Sequence, residues 1–200
     1  MNIPTERLEV RLASLSEADA ETLYQLVELN RSHLRHWLPW LDASTCVEHT
    51  KAFIKGTVKR AEESAGFVCG IYFQGLIVGV VGHNSIDKAN RISYPGYWLS
   101  QTHTGRGIMS CAVAALIHHA FTELDLNRID IRVAVGNHKS QAIPDRLGFV
   151  REGVVREAEW LYDRFVDHTV NGLLRLAWIA RPTAVCLPAL SPETVHRDAH

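Results

Sequence analysis

One segment constrains the fold of this chain more than any other: a long apolar helix that follows directly on two glycines. From Ile108 to Leu124 apolar side chains recur at spacings of three and four residues, so the spacing predicts a helix with one broad buried face. The residues TGRG put Gly105 and Gly107 at its start. Glycines there leave main-chain N–H groups uncovered, where the helix dipole adds about half a positive charge. The segment predicts an anion-binding loop or a simple tight turn, and spacing alone does not choose between them.

The remaining pattern alternates strands and helices, which is typical of a mixed α/β fold with a central sheet covered by helices. Strands are predicted at 7–13, at 67–73 and 76–83 as a hairpin, at 91–100 with a bulge at Pro95 and Gly96, at 128–135, and twice within 151–176 with a turn near 162–168. Helices are predicted at 17–30 behind a Ser16/Asp19 capping box, up to Pro39, from a Thr45/Glu48 capping box to Ser64, and over 138–147 before Gly148.

Length and composition indicate one ordinary globular domain. The chain has 200 residues, and we expect residues 1–178 to form a single domain and 179–200 an irregular tail. The formal net charge of −1 argues against nucleic acid as a partner. The N-terminus is charged, and no apolar stretch reaches the roughly 18 residues of a membrane span. We therefore expect no membrane association and a cytoplasmic location.

Cysteines and histidines give no metal-binding or redox pattern. The cysteines, at 46, 69, 111 and 186, form no CxxC pair. Among the eleven histidines, His118 and His119 diverge on a helix, while the pairs 33/36 and 196/200 have no evident third ligand. We predict no metal site and read these histidines as structural or solvent-facing.

Two longer stretches favour the interpretation of the glycine loop as an anion-binding site over that of a simple tight turn. The run GYWLSQTHTGRGIMSCAVAALIHHAF, followed by LNRIDIRVAVGNHKSQAIPDRLGFVREGVVREAEWL, resembles the GNAT superfamily of acyl-CoA-dependent N-acetyltransferases, and within it the Rim-type ribosomal-protein N-terminal acetyltransferases. The resemblance extends to about Trp178. It implies a mostly antiparallel twisted sheet, split by a bulged strand and flanked by helices. One position departs from the family pattern, because Thr102 stands where Gln or Arg is usual.

The resemblance also implies the residues that hold acetyl-CoA. Main-chain N–H groups around Thr104, Gly105, Arg106, Gly107 and Ile108 would bind the pyrophosphate, and the Arg106 side chain would either meet a phosphate oxygen or lie in solvent. The pantetheine arm would pair with main chain near Leu99, and Asn137 would contact the cofactor. Spacing alone favours Asn137 as an ordinary helix N-cap.

Two side chains are candidates for proton transfer. By the resemblance, Ser140 would protonate the departing sulfur, and Glu159, the second glutamate of REAEWL, would take the amine proton. Glu157 and Glu159 are two apart and share a face of a predicted strand, so periodicity does not separate them, and a solvated carboxylate pair is the alternative. Trp160, on the opposite face, is expected to pack in the core.

Three hypotheses about the function stay open. In the first, the chain acetylates the N-terminal α-amine of a protein such as a ribosomal protein; in the second, it acetylates a small amine such as a polyamine or an antibiotic. In the third, it is an acyl-CoA sensor without turnover. The aromatic segment HWLPWL would wall an acceptor groove, although burial of Trp37 and Trp40 in the core explains it equally. A homodimer is also open.

Overall fold

The computed structural model describes residues 1–181, in which one eight-stranded sheet carries helices on both faces. The strands are β1 (Asn2–Ile3), β2 (Val10–Ser14), β3 (Phe67–Phe73), β4 (Leu76–Asp87), β5 (Ile92–Leu99), β6 (Arg128–Ala134), β7 (Val150–Leu161) and β8 (Arg164–Leu174). The helices are α1 (Ala20–Leu29), α2 (Arg31–Arg35), α3 (Val47–Glu62), α4 (Ile108–Thr122), α5 (His138–Arg146) and α6 (Arg175–Ile179).

The sheet has the order β1-β2-β3-β4-β5-β6-β8-β7. Every neighbouring pair is antiparallel except β5 and β6, which are parallel. Parallel neighbours need a long crossover connection, and here it contains the glycine loop and α4. The mixed α/β fold with a mostly antiparallel sheet is therefore confirmed.

The sheet opens between β5 and β6. These strands pair only at Ile92↔Arg128 and Ser93↔Ile129, and they have no further paired residues as they run on toward Leu99 and Ala134. A cleft consequently passes between them, and the two halves of the sheet form its walls.

The bulge lies in a different strand from the one that the sequence indicates. Asn84 of β4 is the extra residue, between the pairs His83↔Pro95 and Ser85↔Tyr94, whereas β5 continues through Pro95 and Gly96. Because Pro95 has no N–H to donate, its partner strand takes up the irregularity. The Asn84 amide then lies over Gly96, where an added Cβ would come within 2.3 Å of Nδ2.

Helix α4 forms the centre of the larger core. Its apolar side chains are buried against β2, β3, β4 and β6, with Ile108, Leu116 and Ile117 fully enclosed. A second cluster packs α1 and α3 against the opposite face of β3 and β4. Both faces of the first half of the sheet are thus covered, and α4 begins at the mouth of the cleft.

Two local expectations are wrong. Helix α3 begins at Val47 with Cys46 as N-cap, and the Thr45 side chain makes no cap; its main-chain N–H instead donates to His49 Nδ1 at 3.2 Å. Trp160 is 53% exposed and packs edge-to-face on Phe165, because β7 is an edge strand with little over either face. The Ser16/Asp19 capping box and the 74–75 hairpin turn are confirmed. Most of the tail expected at 179–200, including His196 and Cys186, lies outside the described residues.

Candidate functional site

The opening in the sheet forms a cleft of about 1080 Å³. One wall is the second half of β5 with the start of α4, and the other is β6 with the start of α5; α2 and its following loop close one end, and the β7–β8 hairpin lies beside them. Of the residues singled out from the sequence, the cleft is lined by Leu99, Thr104, Gly105, Gly107, Ile108, Asn137, Ser140 and Glu159, but not by Arg106.

The glycine loop presents free main-chain N–H groups to the cleft. Gly105 and Gly107 have φ values of 77° and 74°, a left-handed conformation that L side chains rarely adopt, and Gly107 is the N-cap of α4. The N–H groups from Gly105 to Met109 donate to no acceptor within residues 1–181. The Thr104 N–H is already bonded to the Gln101 carbonyl at 3.2 Å. The loop therefore offers an anion a group of donors that begins at Gly105.

Two arginines lie near this loop, and the one that lines the cleft is not the one singled out from the sequence. The Arg106 side chain is exposed, and its carbonyl accepts a hydrogen bond from Arg7 Nη1 at 2.7 Å, which fixes the loop from outside. Arg146, at the end of α5, lines the cleft and reaches Ser110 Oγ at 3.4 Å. Sequence reasoning missed Arg146, because only the packing of α5 against α4 brings it to the first turn of α4.

The position with the unusual Thr102 lies outside the cleft. Residues 101–103 form a short 3-10 turn, in which Thr102 is exposed and His103 points to the cleft, with its Nδ1 2.7 Å from Ser100 Oγ. Burial lowers the pKa of His103, with a smaller contribution from the Arg106 charge.

Asn137 and Ser140 lie at the N-terminus of α5. The Asn137 side-chain oxygen accepts the Ser140 N–H at 3.1 Å, so the helix-cap reading of Asn137 holds, while both residues also line the cleft. The Tyr97 hydroxyl donates to the Ser140 carbonyl at 3.4 Å, and burial raises the pKa of this tyrosine. The Ser140 hydroxyl bonds to no other described residue, which leaves its proton available inside the cleft.

A bulge in β7 separates the two glutamates. Val155 pairs with His168 and Glu159 with Val166, so residues 156–158 stand opposite Asp167 alone. Glu157 takes a positive φ of 48°, and its N–H donates to Asp167 Oδ1 at 2.8 Å. In regular pairing Glu157 would face Val166; the bulge gives that place to Glu159. Glu159 lines the cleft with His168 beside it, and Glu157 is exposed outside it.

The main chain of Leu99, where the pantetheine arm is expected, faces the cleft. The Ser100 N–H bonds to the Val78 carbonyl in β4 at 2.8 Å, so by the antiparallel alternation the main-chain groups of Leu99 point away from β4 toward the cleft. His33 lies nearby: burial lowers its pKa, the Lys139 charge adds to that shift, and a hydrogen bond with the Leu99 main chain opposes it.

The segment after α2 contributes an apolar wall. Trp37, Leu38 and Pro39 line the cleft, whereas Trp40 is 37% exposed away from it. The Tyr162 hydroxyl, in the β7–β8 turn, donates to the Leu38 carbonyl at 2.5 Å, and Arg35 lies over the Tyr162 ring at 3.7 Å. This contact joins two segments that are far apart in the chain.

Within residues 1–181, no three His, Cys, Asp or Glu side chains are grouped as metal ligands would be. Over the same residues no helix combines the length and the apolar character needed to cross a membrane.

Comparison with known proteins agrees with this geometry. Residues 7–150 match the family model described as acetyltransferase (GNAT) domain. The chain is 33% identical over 174 residues to a putative ribosomal N-acetyltransferase of Bacillus subtilis, covering 86% of this chain and 94% of that one. It is 33% identical over 163 residues to the ribosomal-protein-serine acetyltransferase of Escherichia coli, covering 82% and 90%.

Solved structures show the same fold. The ribosomal α-N-protein acetyltransferase RimL, in complex with coenzyme A, superposes with a TM-score of 0.85 at 29% identity, over 88% of this chain and 99% of RimL. The microcin C7 self-immunity acetyltransferase MccE, in complex with acetyl-CoA and AMP, gives 0.81 at 29% identity, over 84% and 93%. The split sheet, the open loop before α4 and these matches together establish that the chain belongs to the GNAT acetyltransferase family.

Proposed function

We propose that this protein transfers the acetyl group of acetyl-CoA to the N-terminal α-amine of a protein, with a ribosomal protein as the favoured acceptor. The observation that carries the proposal is the cleft through the sheet: free N–H groups lie at one end, and Ser140 and Glu159 both face its interior. The names of the Bacillus and Escherichia relatives support the ribosomal acceptor. Such an acceptor implies a cytoplasmic location.

Acetyl-CoA fits the donors that the loop presents. The N–H groups from Gly105 to Ile108 would hold the pyrophosphate, helped by the α4 dipole and by the Arg146 guanidinium. The pantetheine arm would run along β5 with the main chain of Leu99 as its partner. Asn137 would border the arm on the side of α5. These assignments follow the family resemblance with two differences: the Thr104 N–H is left out because it already donates to the Gln101 carbonyl, and Arg146 takes the place of Arg106 as the arginine inside the cleft.

The chemistry needs one proton removed and one supplied. Glu159 would take the proton from the acceptor amine, directly or through a water, as the nitrogen attacks the thioester carbon. The C–N bond forms, the C–S bond breaks, and the Ser140 hydroxyl would protonate the departing thiolate. Because a thiol has a pKa of about 8.5, the thiolate leaves tolerably without help, so Ser140 contributes less than Glu159.

The α-amine is the easier acceptor for a single carboxylate base. An N-terminal amine has a pKa near 8 and a lysine side chain near 10.4, so at neutral pH the α-amine is deprotonated roughly 200-fold more often. The wall of Trp37, Leu38 and Pro39 suits a short, uncharged first side chain. An N-terminus with a small residue such as serine or alanine therefore fits best.

A thiol-release assay with acetyl-CoA tests this proposal. Short peptides that begin with free serine or alanine should release coenzyme A well above background, and the same peptides with a blocked N-terminus but an internal lysine should not. Mass spectrometry of protein N-termini in cells with and without the protein would then identify the acceptor. Turnover with the blocked peptides alone would contradict the α-amine assignment.

A small-amine acceptor is the second candidate. A spermidine N(1)-acetyltransferase of Vibrio cholerae is 28% identical over 94 residues, which is 47% of this chain, and MccE is named as a microcin C7 self-immunity acetyltransferase. Spermidine in the same assay distinguishes this candidate. A non-catalytic acyl-CoA sensor would bind acetyl-CoA and release no thiol with any amine.

A further inference from the structure

We propose that His168 is a positioning residue for Glu159, donating a hydrogen bond from Nε2 to one carboxylate oxygen and leaving the other oxygen free in the cleft. The inference rests on the proposed function, because it assigns a role to the neighbour of the residue taken as the base.

The two side chains are close to each other and partly buried. His168 Nε2 lies 3.3 Å from Glu159 Oε2, and both side chains line the cleft. The His168 side chain is 16% exposed and that of Glu159 32% exposed, so the imidazole is the more buried of the two. A small closing movement of the Glu159 side chain would bring this contact to hydrogen-bond length.

The β7 bulge places Glu159 beside His168. His168 pairs with Val155 and, on its other side, with Ala134 of β6, so β8 is fixed between two strands at this point. Asp167, the residue before it, accepts the Glu157 N–H and thereby holds the bulge, in which three β7 residues stand opposite one β8 residue, in place. After the bulge, Glu159 returns to the face that carries His168. The side chains of two consecutive β8 residues thus act on this part of β7: Asp167 binds the Glu157 main chain, and His168 contacts the Glu159 carboxylate.

The chemistry gives the contact a purpose. A glutamate has three rotatable bonds, and an unrestrained carboxylate seldom has an oxygen in line with the incoming amine. A donor on Oε2 removes that freedom and leaves Oε1 to receive the proton. The imidazole performs this only when its Nε2 carries the hydrogen. Hydrogen bonds to charged groups have strengths that correspond to about 10- to 100-fold in rate when one is lost.

The alternative is that the pair only fastens the β7–β8 hairpin. In that case the loss of His168 would lower stability and would act on turnover independently of Glu159. A double-mutant cycle separates the two, because residues that act as one unit are not additive.

The test compares wild type, His168→Ala, Glu159→Gln and the double variant by thiol release, with a peptide bearing N-terminal serine as acceptor. We expect His168→Ala to lower kcat about 10- to 100-fold in the wild-type background and less than about threefold in the Glu159→Gln background, with the dissociation constant of acetyl-CoA unchanged. Equal losses in both backgrounds would overturn the positioning role. Full activity of Glu159→Gln would instead refute the base assignment, a pattern distinct from failure of the His168 proposal.

Two further measurements do not depend on the size of a kinetic loss. His168→Gln keeps an N–H donor at similar reach and should retain kcat within a few-fold, whereas His168→Ala does not; His118→Gln, an exposed histidine on α4, is the matched control. Nitrogen NMR of the imidazoles, with His168 assigned from the His168→Gln spectrum, should show the Nε2–H tautomer at pH 8 whether or not any acceptor is turned over. An Nδ1–H tautomer would exclude the proposed bond.

Discussion

Glu157 and Glu159 are two residues apart, yet the bulge between Val155 and Glu159 gives them different surroundings. The Glu157 main chain is tied to Asp167 and its side chain is in solvent, while Glu159 contacts His168 inside the cleft. A base must lie within hydrogen-bond reach of the proton that it removes, directly or through one water. Of these two glutamates, only Glu159 lines the cleft in which we propose that the amine reacts.

Glu159→Gln should therefore lower kcat by about a hundredfold or more, because general-base catalysis contributes on that scale and an amide does not accept the amine proton. Glu157→Gln is the matched control, with the same chemical change two residues away and outside the cleft. Both variants should bind acetyl-CoA with wild-type affinity, measured by calorimetry. A large loss in Glu157→Gln with none in Glu159→Gln would reverse the assignment.

His83 presents a different residue-scale property, a histidine enclosed in the core. It is 0% exposed, neither ring nitrogen has a hydrogen-bond partner within the described residues, and Phe67 packs edge-to-face against it. Burial, with a smaller contribution from His119, lowers the pKa of His83 from 6.5 to about 3. The folded protein thus keeps this imidazole neutral over a range in which the unfolded chain binds a proton.

The free energy of unfolding should accordingly decrease as the pH falls below about 6.5, because the His83 imidazole binds a proton in the unfolded state but not in the folded state. Below the unfolded pKa, the free energy of unfolding decreases by about 1.4 kcal/mol for each pH unit. Between pH 7 and pH 5 the burial of this histidine therefore lowers it by about 2 kcal/mol. In His83→Leu that part of the loss should disappear, as measured by urea unfolding at both pH values. His118→Leu, at the surface, is the control, and an unchanged pH dependence in His83→Leu would contradict the burial argument.

At the scale of elements, the start of α4 carries the N–H groups that we propose to bind the anionic end of acetyl-CoA. Gly107 caps the helix with a positive φ, and the first-turn N–H groups have no partner within the described residues. A side chain at this position both strains the backbone and projects beside those donors. The functional loss then needs to be separated from the strain.

Gly107→Val should raise the dissociation constant of acetyl-CoA by about 10- to 100-fold, the range expected when charge-assisted hydrogen bonds to phosphate are lost. Gly75→Val is the matched control, because Gly75 has a similar φ of 85° in the β3–β4 turn, with no atom within 4 Å of an added Cβ. Calorimetric titration and melting temperature should be measured on both variants. Equal affinity losses in the two would indicate strain rather than a lost anion site.

Elements with a strong local signal were predictable from sequence, and those decided by a partner strand were not. The apolar period of α4 and the turn at Gln74 and Gly75 are properties of the chain itself, and the structure confirms both. The bulge was expected in β5, because Pro95 cannot donate a hydrogen bond to its neighbour. Either of the two paired strands can hold the extra residue that this missing bond favours, and in the structure it is Asn84 of β4. The β7 bulge has no local signature, because it depends on Asp167 across the hairpin.

For the whole molecule, the cleft depends on contacts between segments that are distant in sequence. The α2 segment and the β7–β8 turn meet through Tyr162 and Leu38, and Arg146 of α5 reaches the first turn of α4. The family resemblance indicated Ser140, Glu159 and the glycine loop, because those lie in motifs with fixed spacing. Arg146, His168 and Tyr162 were missed, since only the assembled fold brings them to the site.

The hydrogen bond between Tyr162 and Leu38 leads us to predict an effect on binding of the acceptor without an effect on binding of acetyl-CoA. The Tyr162 hydroxyl donates to the Leu38 carbonyl, and Leu38 belongs to the apolar wall, whereas the free N–H groups that we propose to bind phosphate lie at the start of α4. Tyr162→Phe removes the hydrogen bond but keeps the ring against Arg35, so the wall loosens without losing its packing. We expect KM for an N-terminal serine peptide to rise about three- to tenfold, which corresponds to one ordinary hydrogen bond. The dissociation constant of acetyl-CoA should stay unchanged.

Tyr24→Phe is the control for this change, because Tyr24 also donates its hydroxyl to a main-chain carbonyl, that of Thr45, at a site away from the cleft. Steady-state kinetics with varied peptide and saturating acetyl-CoA give KM for the peptide. A second series with varied acetyl-CoA and saturating peptide gives KM for acetyl-CoA. A shift in acetyl-CoA binding with no shift in peptide KM would place the acceptor elsewhere, because the hairpin would then act on the cofactor end of the cleft. A shift in peptide KM without a shift in acetyl-CoA binding would show that acceptor binding depends on the contact between the β7–β8 turn and the segment after α2, which meet only in the folded state.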